Sequence, residues 1–175
     1  TGEGLHKRGY KSSTGKAPMR ETLAAAFLRM CKFDPSQPLI DPMCGSGTFV
    51  IEAAEIAVGQ APGKRRVFSF QKFKSFDSRA FEMLFLDKKK ITKVELHLLG
   101  YDRDNGAIKN SRQNAQSANV SDITNFHHQP ISDLVPLSSQ CGLIIFNPPY
   151  GARIGDKKKL YALYAKIGTV LKSKF

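Results

Sequence analysis

Met19, Leu23, Phe27 and Met30 recur at steps of about four, an apolar stripe that predicts a helix starting just after Ala17-Pro18. The helix stops near Phe33, because Asp34-Pro35-Ser36-Gln37-Pro38 is turn chemistry and a residue before proline is pushed out of the helical region. Leu39-Ile40-Asp41 then predicts a short buried strand, and Pro42 to Thr48 a loop with two glycines. Phe49, Ala53, Ile56 and Ala57 share one face of the helix that follows. Strand, glycine loop and helix in that order open an α/β unit.

From Ala61 to Lys93 the periodicity lapses. Phe68, Phe70, Phe73, Phe76, Phe81 and Phe85 are interleaved with cations, and the segment carries a net charge of +7. A packed insertion at about residues 61–93 with a basic outer face is expected. Alternation resumes at Val94-Glu95-Leu96-His97-Leu98, a strand leading to Gly100-Tyr101-Asp102. Asp104 can cap a helix running to about Ala118, with Ile108 and Ala115 inward. Ile123 to His128 predicts a third strand. Cys141 to Phe146 is a continuous apolar run, as in strands buried on both faces, and it ends in Asn147-Pro148-Pro149-Tyr150. Leu160, Tyr164, Ile167 and Leu171 mark a closing amphipathic helix.

A chain of 175 residues fits one domain. No apolar run approaches the ~20 residues needed to span a bilayer, so a membrane-spanning reading is excluded, and Thr1 to Thr14 holds no secretory apolar core. Cys31, Cys44 and Cys141 are odd in number and lack metal-ligand spacing, which argues against a disulfide framework and a zinc site. Cys44 reads as a small residue packed in its loop, Cys31 and Cys141 as core positions. A reducing, cytoplasmic setting follows. The net charge of +12 points to an anionic partner, with nucleic acid foremost.

In open α/β sheets, ligands bind where loops leave the carboxyl ends of strands. Three such ends are chemically unusual. In Asp41-Pro42-Met43-Cys44-Gly45-Ser46-Gly47-Thr48, Gly45 and Gly47 let backbone approach a ligand and Asp41 can accept from an ammonium group. The loop lacks the Gly-Lys-Ser/Thr ending of a P-loop and is not the six-residue glycine pattern of a dinucleotide fold. Asp102 ends the next strand, where an acidic residue can bind both hydroxyls of a ribose or simply cap a turn. Asn147-Pro148-Pro149-Tyr150 has two prolines without amide donors, an amide oxygen at Asn147 and a flat face at Tyr150, suited to holding and stacking an amine-bearing base. His127-His128 reads as a strand-end surface pair, so no metal is expected.

Asp41 to Thr48 with Asn147 to Tyr150 resembles motifs I and IV of S-adenosylmethionine-dependent amino methyltransferases. With Gly4-Leu5-His6-Lys7-Arg8-Gly9-Tyr10, Ala17 to Leu23 and Gly151 added, nearly the whole chain is similar to the bacterial THUMP-associated RNA guanine-N2 methyltransferases, often labelled N6-adenine-specific methylases. The resemblance implies a three-layer, Rossmann-like, S-adenosylmethionine-dependent methyltransferase fold with a mainly parallel sheet. It implies a partial catalytic domain over residues 1–175, truncated after the fourth core strand, and a THUMP domain in the full-length protein.

By the same resemblance Asp41, Gly45, Gly47 and Thr48 line the methionine end of the cofactor and Asp102 holds its ribose. Tyr10 and Thr22 help close that pocket. Gln129, in His127-His128-Gln129-Pro130, stands where an acidic residue commonly receives the adenine amine. Asn147 with the Pro148 carbonyl and Pro149 orients the target amine, and Tyr150 stacks on its ring. The implied reaction is methylation of the exocyclic N2 of guanine in ribosomal or transfer RNA. N6-adenine methylation of DNA or RNA, and a catalytically silent RNA-binding module, remain the alternatives.

Overall fold

A computed structural model describes residues 4, 6–11, 19–86, 96–137, 141–150 and 157–175, without the side chains of Phe85 and Leu86. Helix α1 (Glu21–Met30) leads through the Asp34 turn into strand β1 (Leu39–Asp41) and then α2 (Thr48–Ala57). In that turn, the Asp34 carboxylate accepts from the Ser36 amide and hydroxyl. The insertion holds a 3₁₀ turn (Ser69–Lys72) and α3 (Ser78–Leu86). Strand β2 (Leu98–Asp102), α4 (Asn105–Ser117), β3 (Asn125–His128), β4 (Leu143–Ile144) and α5 (Lys157–Lys174) complete the described elements.

The strands form one sheet in the order β3-β2-β1-β4, with all three pairings parallel. Because side chains alternate across a strand, the sheet buries both faces. Leu39, Leu98 and Phe126 pack with α1, α2 and α4 on one side; Ile40, Leu99, Tyr101 and Leu134 pack with Val170 of α5 on the other. The result is the expected three-layer α/β sandwich. Parallel pairing places the carboxyl ends of β1, β2 and β4 together, and the chain reverses from the β2–β3 side to the β4 side at β1. That reversal is where α/β sheets bind ligands.

Several expectations need correction. The second strand is Leu98–Asp102, not a run beginning at Val94; Leu96 and His97 precede it, and Val94 and Glu95 lie outside the described residues, as does the expected helix start at Ala17-Pro18. β2 is buried along Leu98 to Tyr101, so burial on two faces leaves no alternation to read. Ser121–Ile123 forms a 3₁₀ turn and β3 starts only at Asn125. Helix α2 buries nearly every residue rather than one face, because α1, α4 and the segment around Tyr10 surround it. Cys31 and Cys141 are exposed: Cys31 follows the last turn of α1, and Cys141 precedes β4, whose paired residues are only half-buried. On α5 the buried positions are Ile167 and Val170, while Tyr164 is exposed.

The insertion packs on itself. Phe68, Phe70, Phe76 and Phe81 interlock with ring centroids 5.2–6.2 Å apart, although Phe70, like Phe73, is exposed. Its cations divide into two sets. Arg65 turns inward, pairing with Glu55 at 2.5 Å and donating to the Ala118 carbonyl, and Arg66 lies over the Phe68 ring. Lys72, Lys74 and Arg79 face solvent. Lys88-Lys89-Lys90 and Lys93 lie outside the described residues. Among the described residues no helix is long and apolar enough to cross a membrane.

Candidate active site

The loop after β1 is held from several directions. The Cys44 amide donates to the Tyr101 carbonyl at 2.9 Å, the Gly47 amide to the Cys44 carbonyl at 2.8 Å, and Asn114 Nδ2 to the Ser46 carbonyl at 3.0 Å. Gly45 and Gly47 both take left-handed backbone, φ +52° and +80°, but for different reasons. A Cβ on Gly45 would meet nothing within 4 Å, whereas one on Gly47 would strike Phe126 and Ser111 at 2.9 Å. Gly45 therefore offers open backbone, and Gly47 lets the start of α2 settle against β3 and α4. Thr48 opens α2, buried, with its hydroxyl 3.3 Å from that of Ser46.

Two carboxylates meet beneath this loop. Asp102 accepts the Gly45 amide on Oδ2 and the Asp104 amide on Oδ1, each at 2.9 Å, so it ties the β1 loop to the end of β2. An sp² carboxylate oxygen carries two lone pairs, and each of these can accept again. Asp41 is 2% exposed and accepts the Met43 amide at 3.1 Å. Burial pushes its carboxyl up to about 8, with the Asp102 charge adding to the shift. Burial also raises the Cys44 thiol, leaving it a neutral packing group.

A cavity of about 760 Å³ opens over these strand ends, lined by Met43, Asp102, Arg103, Ile131, Asn147 to Tyr150 and Lys166, among others. It brings together Asp102 from β2 and the whole Asn147-Pro148-Pro149-Tyr150 stretch after β4. Tyr150 is 60% exposed at its rim, and the Tyr164 hydroxyl donates to the Pro149 carbonyl at 3.4 Å. Asp41, Gly45, Gly47 and Thr48 are not among the lining residues, although Pro42 and Met43 of the same loop are. Gln129 is not among the lining residues either: its amide donates to the Asp102 carbonyl, extending the β2–β3 ladder. Pro130, Ile131 and Ser132 form that wall instead.

Tyr10 and Thr22 do not reach the cavity. Tyr10 is 1% exposed in the core, where its hydroxyl donates to Glu52 at 3.3 Å and Arg8 pairs with the same carboxylate; burial raises the phenol. An aromatic ring with one polar tip suits that buried junction as well as it would suit a pocket wall, so sequence alone could not separate the two. Thr22 is exposed on α1. His127 stacks on Tyr101 at 5.5 Å and His128 Nε2 contacts the Arg103 carbonyl at 2.9 Å, which accounts for the histidine pair. Arg103 and Ile131 could have been placed from their adjacency to strand ends. Leu163 and Lys166 carried no such signal, because α5 folds back over the cavity from far along the chain.

The chain is similar in sequence and in fold to known proteins. A family described as RMKL-like, methyltransferase domain matches residues 8–175. The ribosomal RNA large subunit methyltransferase K/L of Vibrio campbellii is 40% identical over 99% of this chain, and the Aliivibrio salmonicida protein of that name is 41% identical over 99%. The chain spans only 26% of the length of either relative. Among solved structures, SMU.472, crystallised with SAH, superposes with a TM-score of 0.87 at 33% identity, covering 96% of this chain and 44% of its own. A Listeria monocytogenes protein described as a predicted N6-adenine-specific DNA methylase gives 0.89 at 34%, covering 99% and 46%.

Proposed function

The chain belongs to the RMKL-like methyltransferase domain family, and on that premise we propose that it methylates the exocyclic N2 of guanine in ribosomal or transfer RNA, with S-adenosylmethionine as donor. One observation carries the reading: a candidate ribose acceptor, Asp102, and a candidate amine-holding segment, Asn147 to Tyr150, line the same cavity from opposite sides of β1. The residues present suit the donor. Asp102 keeps lone pairs for hydroxyls, Gly45 leaves its backbone uncovered, and the cavity lies in the 300–1,000 Å³ range of small-molecule sites.

S-adenosylmethionine supplies a methyl group already activated on a sulfonium. What the chain adds is alignment. The Asn147 amide oxygen and the Pro148 carbonyl would accept the two amine hydrogens and leave the nitrogen lone pair aimed at the methyl carbon, while Tyr150 stacks on the ring. The donor, held by Asp102 and the Gly45 backbone, would give up that methyl to the amine nitrogen and leave as S-adenosylhomocysteine. The alkylated nitrogen, now acidic, gives its proton to water. A THUMP domain in the full-length protein would present the RNA, in the cytoplasm.

N6-adenine methylation is the second reading, favoured by the same amine-holding segment and by the Listeria structure. Nucleoside mass spectrometry of RNA treated with the full-length enzyme separates the two: N2-methylguanosine is expected, and N6-methyladenosine instead overturns the base assignment. Calorimetry with SAH checks the cofactor, since a silent RNA-binding module need not bind it.

A further inference from the structure

Helix α5 carries six lysines and no acidic residue along Lys157–Lys174, and its place in the fold gives that charge an address. Leu160, Leu163, Ile167 and Val170 form its inward stripe, at the i, i+3, i+7 spacing of one helical face. Leu163 and Lys166 reach the cavity on one edge of that stripe. Lys157, Tyr161 and Tyr164 fall together on the other edge, at i, i+4 and i+7. The Tyr164 hydroxyl touches the Pro149 carbonyl, so the tyrosine edge begins where the segment Asn147 to Tyr150 ends. Tyr150, Tyr161 and Tyr164 are 60%, 71% and 43% exposed. Three aromatic faces left in water beside cations are poorly explained as packing.

We propose that the Tyr161–Tyr164 edge of α5, with Lys157 and with Lys166 across the inward stripe, is the track for the single-stranded RNA that flanks the target nucleotide. The inference rests on the methyl-transfer reading for its substrate, but its evidence is the surface itself. Ring faces stack on bases of any sequence and lysines hold the phosphates, the combination that single-strand-binding grooves use. A target base must leave its neighbours to enter the cavity, and rings at the rim replace the stacking those neighbours lose. The basic face of the insertion is the competing surface, yet none of its residues lines the cavity, whereas Lys166 of α5 does and the Tyr164 hydroxyl touches Pro149 of the cavity wall.

The test is fluorescence anisotropy of a labelled single-stranded RNA oligonucleotide against this chain, with SAH affinity measured in parallel. Tyr161→Leu and Tyr164→Leu should each weaken RNA binding about tenfold, with Tyr161→Phe and Tyr164→Phe restoring it, and Tyr161→Leu should leave SAH affinity unchanged. Lys157→Gln should reduce the slope of log affinity against log salt by about 0.7. A duplex of the same sequence should bind without depending on the rings. Leucine variants that bind RNA like the wild type, with loss instead on neutralising Lys72, Lys74 and Arg79, would overturn the track while leaving methyl transfer intact. Failure of the wild type to bind SAH would strike the methyl-transfer reading, and the ring dependence would still judge the track.

Discussion

At Asn147 the consequence of replacement differs from that at Tyr150. Asn147→Ala removes an acceptor that matters only when the amine is in line, so single-turnover rates of the full-length enzyme on RNA should fall about 100-fold with little change in RNA affinity. Tyr150→Ala should cost about 1–3 kcal/mol of base stacking and Tyr150→Phe much less; a phenylalanine variant as damaged as alanine would shift the working part to the hydroxyl. Asp41 predicts a pH effect. Its carboxyl, raised by burial to about 8, binds a proton in the folded protein that the unfolded chain releases, so its contribution to stability falls as pH climbs from about 4 to about 8. The proposed acceptance of a cofactor ammonium by Asp41 requires the ionised form. SAH affinity should therefore rise between about pH 6 and about pH 7.5, and Asp41→Asn should flatten that rise in a calorimetric series.

The elements around the glycine loop explain what could be read from sequence and what could not. β1 and α2 were legible because turn chemistry and a glycine loop bracket them, and the Asp104 cap is present as expected, accepting the Gly106 amide at 2.8 Å. β2 was displaced because the residues that matter face two packed layers. Gly100 sits mid-strand where a Cβ would come within 2.6 Å of Phe126, a constraint that belongs to β3 and leaves no mark on β2's own pattern. The two loop glycines looked equivalent in sequence, and only the neighbouring elements distinguish them. Gly47→Ala should destabilise the fold by about 2–4 kcal/mol in denaturant unfolding, combining left-handed strain with a clash against Phe126. Gly45→Ala, with open space beyond it, should cost only about 1–2 kcal/mol. Equal losses would mean that the packing of α2 against β3 does not depend on that glycine.

For the molecule as a whole, the sheet is unevenly secured. β2 is central and buried along Leu98 to Tyr101, whereas β4 offers two half-buried residues at one edge of the described sheet. Local opening follows burial and pairing, so in native-state hydrogen exchange the amides of Leu143 and Ile145, bonded to the Pro38 and Ile40 carbonyls, should exchange well before those of Leu99 and Tyr101. Comparable protection would show that β4 opens only with the rest. The strand order also has a consequence in time. Strands β1, β2 and β3 are neighbours in sequence and in the sheet, but β4 must cross back to the far side of β1. On a ribosome working from the amino end, the floor that ties Gly45 to Asp102 is synthesised before Asn147 has left the tunnel. The proposed donor side of the site is thus made first and the proposed base side second.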